Sequence, residues 1–315
     1  MFSRHRAVAF ILFACALLGG CTSLAPRVTD AAISFERSRA DLVRRDVSLP
    51  DGLHMAYLEG GQGEPLVLVH GFGGNKDNFT RVARWLTPYY RVIVPDLPGF
   101  GESSHPQDAP YAYAAQAERL HAFVRALSLG NAHFGGNSMG GAIVLSYAAQ
   151  YRSEVSSLWL LDAAGIPEAP ASELRKIIET TGRNPLLVAN EDDFANLLGF
   201  AMSDPPYIPR MMVNVMAKER IGNQAVERRV FEQIATDSVT QQVRGLATPT
   251  LIVWGDEDRV LHVGTADVLH TLLPRSQVIV MPHVGHIPMV ERPRQTAQDY
   301  LRFRSGLAAT DRSSP

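Results

Sequence analysis

Cysteine and lysine are nearly absent from this sequence. The two cysteines, Cys15 and Cys21, both sit close to the amino terminus. No disulfide can therefore brace the long remainder of the chain, and its stability must come from a packed core. Lysine occurs only at Lys76, Lys176 and Lys218, so arginine carries nearly all the positive charge, scattered rather than gathered into a stripe. With a formal net charge of -2 as well, the chain lacks the basic surface that nucleic-acid binding needs. It also lacks an apolar run of the ~20 residues that a membrane-spanning helix requires. The longest such run, "AVAFILFACALL", covers only 7–18. No internal repeat or low-complexity segment is present. What is plentiful is apolar residue, 46% against 20% charged, which excludes disorder and in 315 residues allows a large core.

The first residues stand apart from the rest. "MFSRHR" supplies positive charge, the short apolar run follows, and "LGGC" closes with small residues and Cys21. This is the three-part layout of a secretory signal over residues 1–21. The ending "LLGGC" resembles the lipobox of bacterial lipoproteins, in which the cysteine becomes the lipidated amino terminus. That resemblance implies lipidation at Cys21, removal of the segment holding Cys15, and a membrane held through the amino-terminal lipid. Thr22 in place of aspartate implies, by the sorting rules of such lipoproteins, the outer membrane of a Gram-negative cell envelope. An uncleaved anchor and a plain signal peptide are the alternatives. Residues 22–40 are polar and mixed and are read as a tether with room for a short helix.

From residue 41 the pattern alternates strand and helix. "RRDVSL" and "LHMAYLEG" flank an Asp51-Gly52 turn and predict a hairpin. "PLVLVHG" (65–71) is a continuous apolar run, the mark of a strand buried on both faces. "NKDNFTRVARWL" predicts a helix, "YRVIVPDLPG" a strand, and 113–129 a helix with Leu120, Phe123, Val124 and Leu127 on one face. "NAHFGGNS" predicts a strand, "MGGAIVLSYAAQY" a helix and "VSSLWLLDAAG" a strand. Residues 166–246 then break the rhythm with helical stretches alone. Strand and helix resume over 247–306, ending in a helix from about Arg292 to Arg304 and a tail at 307–315. The alternation predicts an α/β fold with a mostly parallel sheet wrapped by helices. Its ligand site should lie beyond the carboxyl ends of the strands, with 166–246 as a helical lid above it.

One short stretch concentrates glycine. Residues 133–142, "HFGGNSMGGA", hold Ser138 among four glycines. Gly136, Ser138 and Gly140 form G-x-S-x-G, the pattern of a nucleophile elbow on a tight strand-to-helix turn. Serine is a poor nucleophile until a base takes its proton, and that base works best when a carboxylate orients it. Candidates follow predicted strands in the order Ser…Asp…His: Ser138, then Asp256 and Asp258 after "LIVWG", then His283 and His286 after "VIVMP". Asp162, at the end of "WLLD", is a rival acid.

Together these features resemble the α/β-hydrolases, over about residues 42–306. The resemblance rests on "LVHGFGGNKDNF", "PDLPGFGESS", "GGNSMGG", "WGDEDRV" and "GHIPMVERP" in that order. It implies an eight-stranded, mostly parallel sheet with the lid inserted after the sixth strand. It selects Asp258 as the acid, the last residue of G-x-x-D, and His286, which follows a glycine. It implies an oxyanion hole from the N–H groups of Met139 and Phe72, with Gly71 and its neighbours letting the loop approach. His70 and His133 are read as buried, bracing histidines. The chemistry needs neither a metal nor an organic cofactor.

A serine nucleophile excludes the aspartate-dependent dehalogenases and epoxide hydrolases of this fold. The flanking motifs resemble bacterial lipases and esterases of the monoacylglycerol-lipase-like group. They imply a serine hydrolase of acyl esters, lipid-derived ones such as acylglycerols included. Carbon–carbon bond hydrolysis of aromatic ring-fission products and a silent hydrophobic-ligand binder are the rival readings. "FANLLGFAM" and "MMVNVMA" would line an apolar pocket or pack the lid onto the body.

Overall fold

A computed structural model describes residues 24–313. The signal segment 1–21, with the lipidation candidate Cys21, lies outside the described residues. A helix, α1, spans 24–39, where a tether with room for a short helix was expected. Eight strands follow: β1 (Leu42–Ser48), β2 (His54–Gly60), β3 (Glu64–Val69), β4 (Tyr90–Pro95), β5 (Ala132–Asn137), β6 (Val155–Leu161), β7 (Thr250–Gly255) and β8 (Ser276–Met281). They form one sheet in the order β1-β2-β4-β3-β5-β6-β7-β8. The β1–β2 and β2–β4 pairs are antiparallel, and every later pair is parallel. The first hairpin closes on Asp51, whose carboxylate accepts the Leu53 N–H, and on Gly52 at φ 83°.

Alternation along the apolar strands fills two separate cores. Val67, Val69, Leu158, Leu160, Ile252 and Trp254 face one side, against α3 (Tyr113–Ala126), α4 (Met139–Gln150) and α10 (Thr265–Leu272). Leu66, Leu68, Trp159, Leu161, Leu251 and Val253 face the other, against α2 (Thr80–Ala83), α11 (Pro288–Glu291) and α12 (Pro293–Ser313). Trp159 stacks on Tyr300 at 4.5 Å and seats α12 on that second face. Burial on both faces is why these strands read as unbroken apolar runs.

Two elements depart from the sequence reading. The helix expected over 75–86 is a single 3₁₀ turn, Lys76–Phe79, followed by the short α2. Its first residues are committed elsewhere: the backbone N–H and Nζ of Lys76 both bond Asp96, at 2.6 and 2.8 Å. The last helix starts at Pro293 and runs past Arg304 to Ser313, taking in most of the expected tail, since Leu307 still packs on the second core. Residues 166–246 hold α5 (Glu173–Thr181), α6 (Glu191–Ala201), α7 (Arg210–Gly222), α8 (Gln224–Ile234) and α9 (Thr240–Val243). Ser172 and Asn190 cap α5 and α6 by accepting the N–H groups of Arg175 and Asp193. Helices α5, α6 and α7 share a small core built on Leu174, Phe194, Leu197, Val213 and Ala217, whereas Val226 and Val230 of α8 and Val243 of α9 join the first core.

Candidate active site

Parallel register lines up the carboxyl ends of the central strands. Val69 pairs with Gly136, Asn137 with Leu161, and Leu161 with Val253. The segments that follow these strands therefore emerge along one edge of the sheet. Ser138 leaves β5 there and caps the start of α4.

Ser138 has φ 55° and ψ −121°, a backbone conformation that L residues rarely adopt. It is locked from both sides: its N–H donates to Leu161 O at 3.0 Å, and its carbonyl accepts Ala142 N–H at 3.2 Å and Ala164 N–H at 2.9 Å. The glycines around it are required by close approach. A Cβ on Gly136 would lie 2.3 Å from Gly140 O, and one on Gly140 would lie 2.2 Å from Val69 O. The bend can thus form only where the two chain segments touch backbone to backbone. The 70–74 loop packs directly on this bend, with the Cβ position of Gly71 only 3.1 Å from Ser138 Cβ.

His286 and Asp258 meet on the same side of the sheet, where Asn137, the residue before Ser138, bonds the His286 carbonyl at 3.0 Å. The Nδ1–H of His286 donates to Asp258 Oδ2 at 2.8 Å, and both side chains are almost wholly buried. The other Asp258 oxygen accepts the N–H groups of Val260 and Leu261, at 2.8 and 3.0 Å. Its orientation is therefore set by three donors. Asp256 sits in the turn, where it accepts the His283 N–H at 2.7 Å. The His283 ring faces solvent against Glu257, which raises its pKa. Asp162 is fully buried behind this pair, and its Oδ1 accepts Gly255 N–H at 2.9 Å. Asp162, Asp258 and His286 make the one cluster among the described residues close enough to share a metal ion. Asp258 is engaged with His286 and with backbone N–H groups, Asp162 Oδ1 with Gly255 N–H, and Asp162 Oδ2 has no donor among the described residues.

Met139 opens α4, so its N–H has no acceptor within the helix. Phe72 lies in the loop beyond β3, its ring edge-on to Phe100 and Phe231. His70 is buried, its Nδ1 bonded to Gly71 O at 2.8 Å and its Nε2 accepting Leu97 N–H at 3.0 Å. Those contacts assign the Nδ1–H tautomer, and burial lowers its pKa, so it braces the loop as a neutral ring. His133 is likewise held between Ser157 and Glu64.

Comparison with known proteins fits this arrangement. The family model for the alpha/beta hydrolase fold matches residues 64–293. The chain belongs to the alpha/beta hydrolase family. It is 47% identical to Lipase 3 of Moraxella sp. (strain TA144) over 300 residues, covering 91% of this chain and 94% of the relative. It is 46% identical to Lipase 1 of Psychrobacter immobilis, covering 92% and 94%. The crystal structure of a membrane phospholipase A superposes with a TM-score of 0.89 at 38% identity, over 97% of this chain and 99% of that one. On this kinship the protein is a carboxylic ester hydrolase.

Three residues of this alpha/beta hydrolase escaped the sequence reading. Asn137, immediately before the elbow serine, donates its side-chain amide to Leu161 O at 3.1 Å and to His286 O at 3.0 Å. Glu291 is buried and accepts the N–H groups of Gly285, Ser203 and Asp204, while His286 N–H donates to Ala201 O at 2.7 Å. Together they clamp the histidine loop to the end of α6. Arg220 of α7 lies buried against Gly73 and over the Phe72 ring at 5.7 Å, paired with Glu227 of α8. Asn137 and Glu291 lie inside quoted motifs, but nothing in the pattern singles them out. Phe72 and Gly73, against which Arg220 packs, are distant from it in sequence and carry no local signal.

Proposed function

We propose that the protein hydrolyses acyl esters of lipid origin, such as acylglycerols, through Ser138, His286 and Asp258. The observation that carries this reading is the His286–Asp258 bond at the strand ends, beside a serine held on a strained elbow. Ser138 Oγ attacks the ester carbonyl carbon while His286 Nε2 takes its proton. The imidazolium so formed is stabilised by Asp258, which also holds the ring in the Nδ1–H tautomer. The oxyanion is held by the N–H groups of Phe72 and Met139. His286 then protonates the departing alcohol, and water repeats the sequence on the acyl-enzyme. No metal or organic cofactor takes part.

The segment 166–246 acts as a lid. The contacts of α7 and α8 with the oxyanion loop support this: Phe231 edges Phe72 at 5.6 Å, and Asn75 donates to Glu219 at 3.2 Å. A lipid preference is supported by the lipases among its relatives. The chain is anchored in the cell envelope, at the outer membrane of a Gram-negative bacterium, by lipid on Cys21. The "LLGGC" sequence supports that anchoring.

The test is hydrolysis of p-nitrophenyl butyrate and laurate by the full chain beside Ser138→Ala. Serine-dependent turnover with laurate favoured supports the reading. Turnover that survives Ser138→Ala removes the serine mechanism, and a folded protein inert on both esters points to ring-fission substrates or silent binding.

A further inference from the structure

The proposed mechanism leaves Asp162 unused, yet no acid among the described residues is more tightly enclosed. It follows β6 directly, has φ 47° and is fully buried. Its N–H donates to Val253 O at 3.0 Å, and its Oδ1 accepts Gly255 N–H. Its Oδ2 is buried with no donor in reach among the described residues. What stands beside it is a second carboxyl group. One oxygen of Asp162, one of Asp258 and a ring nitrogen of His286 all lie within 4.8 Å of one another.

Two carboxylates at that separation do not both ionise; one proton stays with the pair. Hydrogen bonding decides which group keeps it. Asp258 accepts from Val260, Leu261 and His286, all of which favour its charged form. Asp162 accepts from Gly255 alone. Burial first, and then the charge of Asp258 with a smaller contribution from Glu291 on α11, holds the Asp162 carboxyl well above the usual carboxylate range.

We infer that Asp162 is a positioning residue for the proposed triad, held as the neutral acid and donating its Oδ2–H to Asp258. This rests on the reading of Ser138, His286 and Asp258 as the catalytic set. The donated bond satisfies the otherwise orphaned oxygen and fixes the Asp258 carboxylate toward His286. It also withdraws charge from Asp258 and so tempers the basicity of the Asp258–His286 pair. The charged groups that act on Asp162 are Asp258 and Glu291, both acids, and both favour its neutral form.

The test is the pH profile of kcat/KM on p-nitrophenyl butyrate for wild type, Asp162→Asn and Asp162→Leu. Asparagine keeps a neutral donor, so the acid limb should stay where it is in wild type. Leucine removes the donor, Asp258 becomes more basic, and the limb should move to higher pH. If Asp162 were instead ionised, Asp162→Asn would remove a negative charge beside His286 and move the limb down by about one unit or more. That result, or any displacement of the limb in Asp162→Asn, overturns the inference. Infrared difference spectroscopy at neutral pH gives an answer independent of turnover. The carbonyl band of a protonated carboxyl should be present in wild type and missing in Asp162→Asn; its absence from wild type overturns the inference. Ser138→Ala run alongside separates the two levels. Activity retained there would sink the triad, while the infrared band would still report the state of Asp162.

Discussion

The side-chain amide of Asn137 bonds the carbonyl of His286 at 3.0 Å and that of Leu161 at 3.1 Å. One buried side chain thereby ties β5, which leads into Ser138, to the loop that carries His286. Asn137→Ala would leave the buried His286 carbonyl without its donor, a cost of about 1–3 kcal/mol, while Leu161 O keeps the Ser138 N–H. Part of that loss should appear as a displaced His286 backbone. The expected outcome is a kcat lowered roughly tenfold to a hundredfold with KM little changed, from a protein that still folds but melts earlier. Steady-state kinetics together with a thermal melt check both parts.

Ser138 stores strain that its removal should release. With φ at 55°, any L residue is disfavoured at this position and glycine is not. Both Ser138→Ala and Ser138→Gly should be inactive. The glycine variant should nevertheless melt above the alanine variant, by about 2 °C for a gain near 1 kcal/mol. Equal melting temperatures would mean that the elbow relaxes at no cost.

Arg220 and Glu227 form an ion pair with both side chains under 10% exposed. Burial raises the Glu227 carboxyl pKa, and Arg220 opposes that shift. Arg220→Ala should destabilise by about 3–5 kcal/mol, because it leaves a buried carboxylate unpaired. Replacing both residues, as Arg220→Met with Glu227→Leu, should recover most of the loss. Chemical denaturation of the single and double variants makes the comparison. The single variant should also regain stability as pH falls and Glu227 takes up a proton.

A neutral Asp162 has a signature in stability as well as in kinetics. Its folded-state pKa is raised, so the folded protein binds a proton that the unfolded chain has released. Its contribution is fully present below the ordinary aspartate range and is lost as pH rises toward the folded value. Asp162→Asn has no such proton to release. Relative to the variant, wild type should lose up to about 1.4 kcal/mol per pH unit between pH 5 and 7. Denaturant melts of the two proteins across that range give the slope, and parallel curves would show an ionised Asp162.

Much of the architecture was legible because its signals are local. The apolar runs of β3, β6 and β7 identify strands buried on both faces, and alternation within each run assigns the two cores. Glycines crowded at 135–141 announce a backbone contact that no Cβ could enter. The short signals misled where a tertiary partner outweighed them. The helix expected at 75–86 shrinks because Lys76 turns inward to Asp96, and α12 runs on because Leu307 finds the second core.

Sequence by itself determined the order of strands and helices, the elbow, and a set of acids and histidines stationed at strand ends, since each depends on residues near in the chain. Only the tertiary structure decided which acid touches which histidine. Asp162, Asp256 and Asp258 all follow apolar strands, and His283 and His286 are three residues apart, so pattern alone leaves six pairings, among which the family resemblance favours Asp258 with His286. The choice is made by what surrounds them in space. Val260 and Leu261 turn the Asp258 carboxylate toward His286, Asn137 and Glu291 hold the histidine loop, and full burial beside another acid keeps Asp162 from competing. These contacts join segments up to about 150 residues apart, and electrostatics at that range is written in the fold, not in any stretch of sequence.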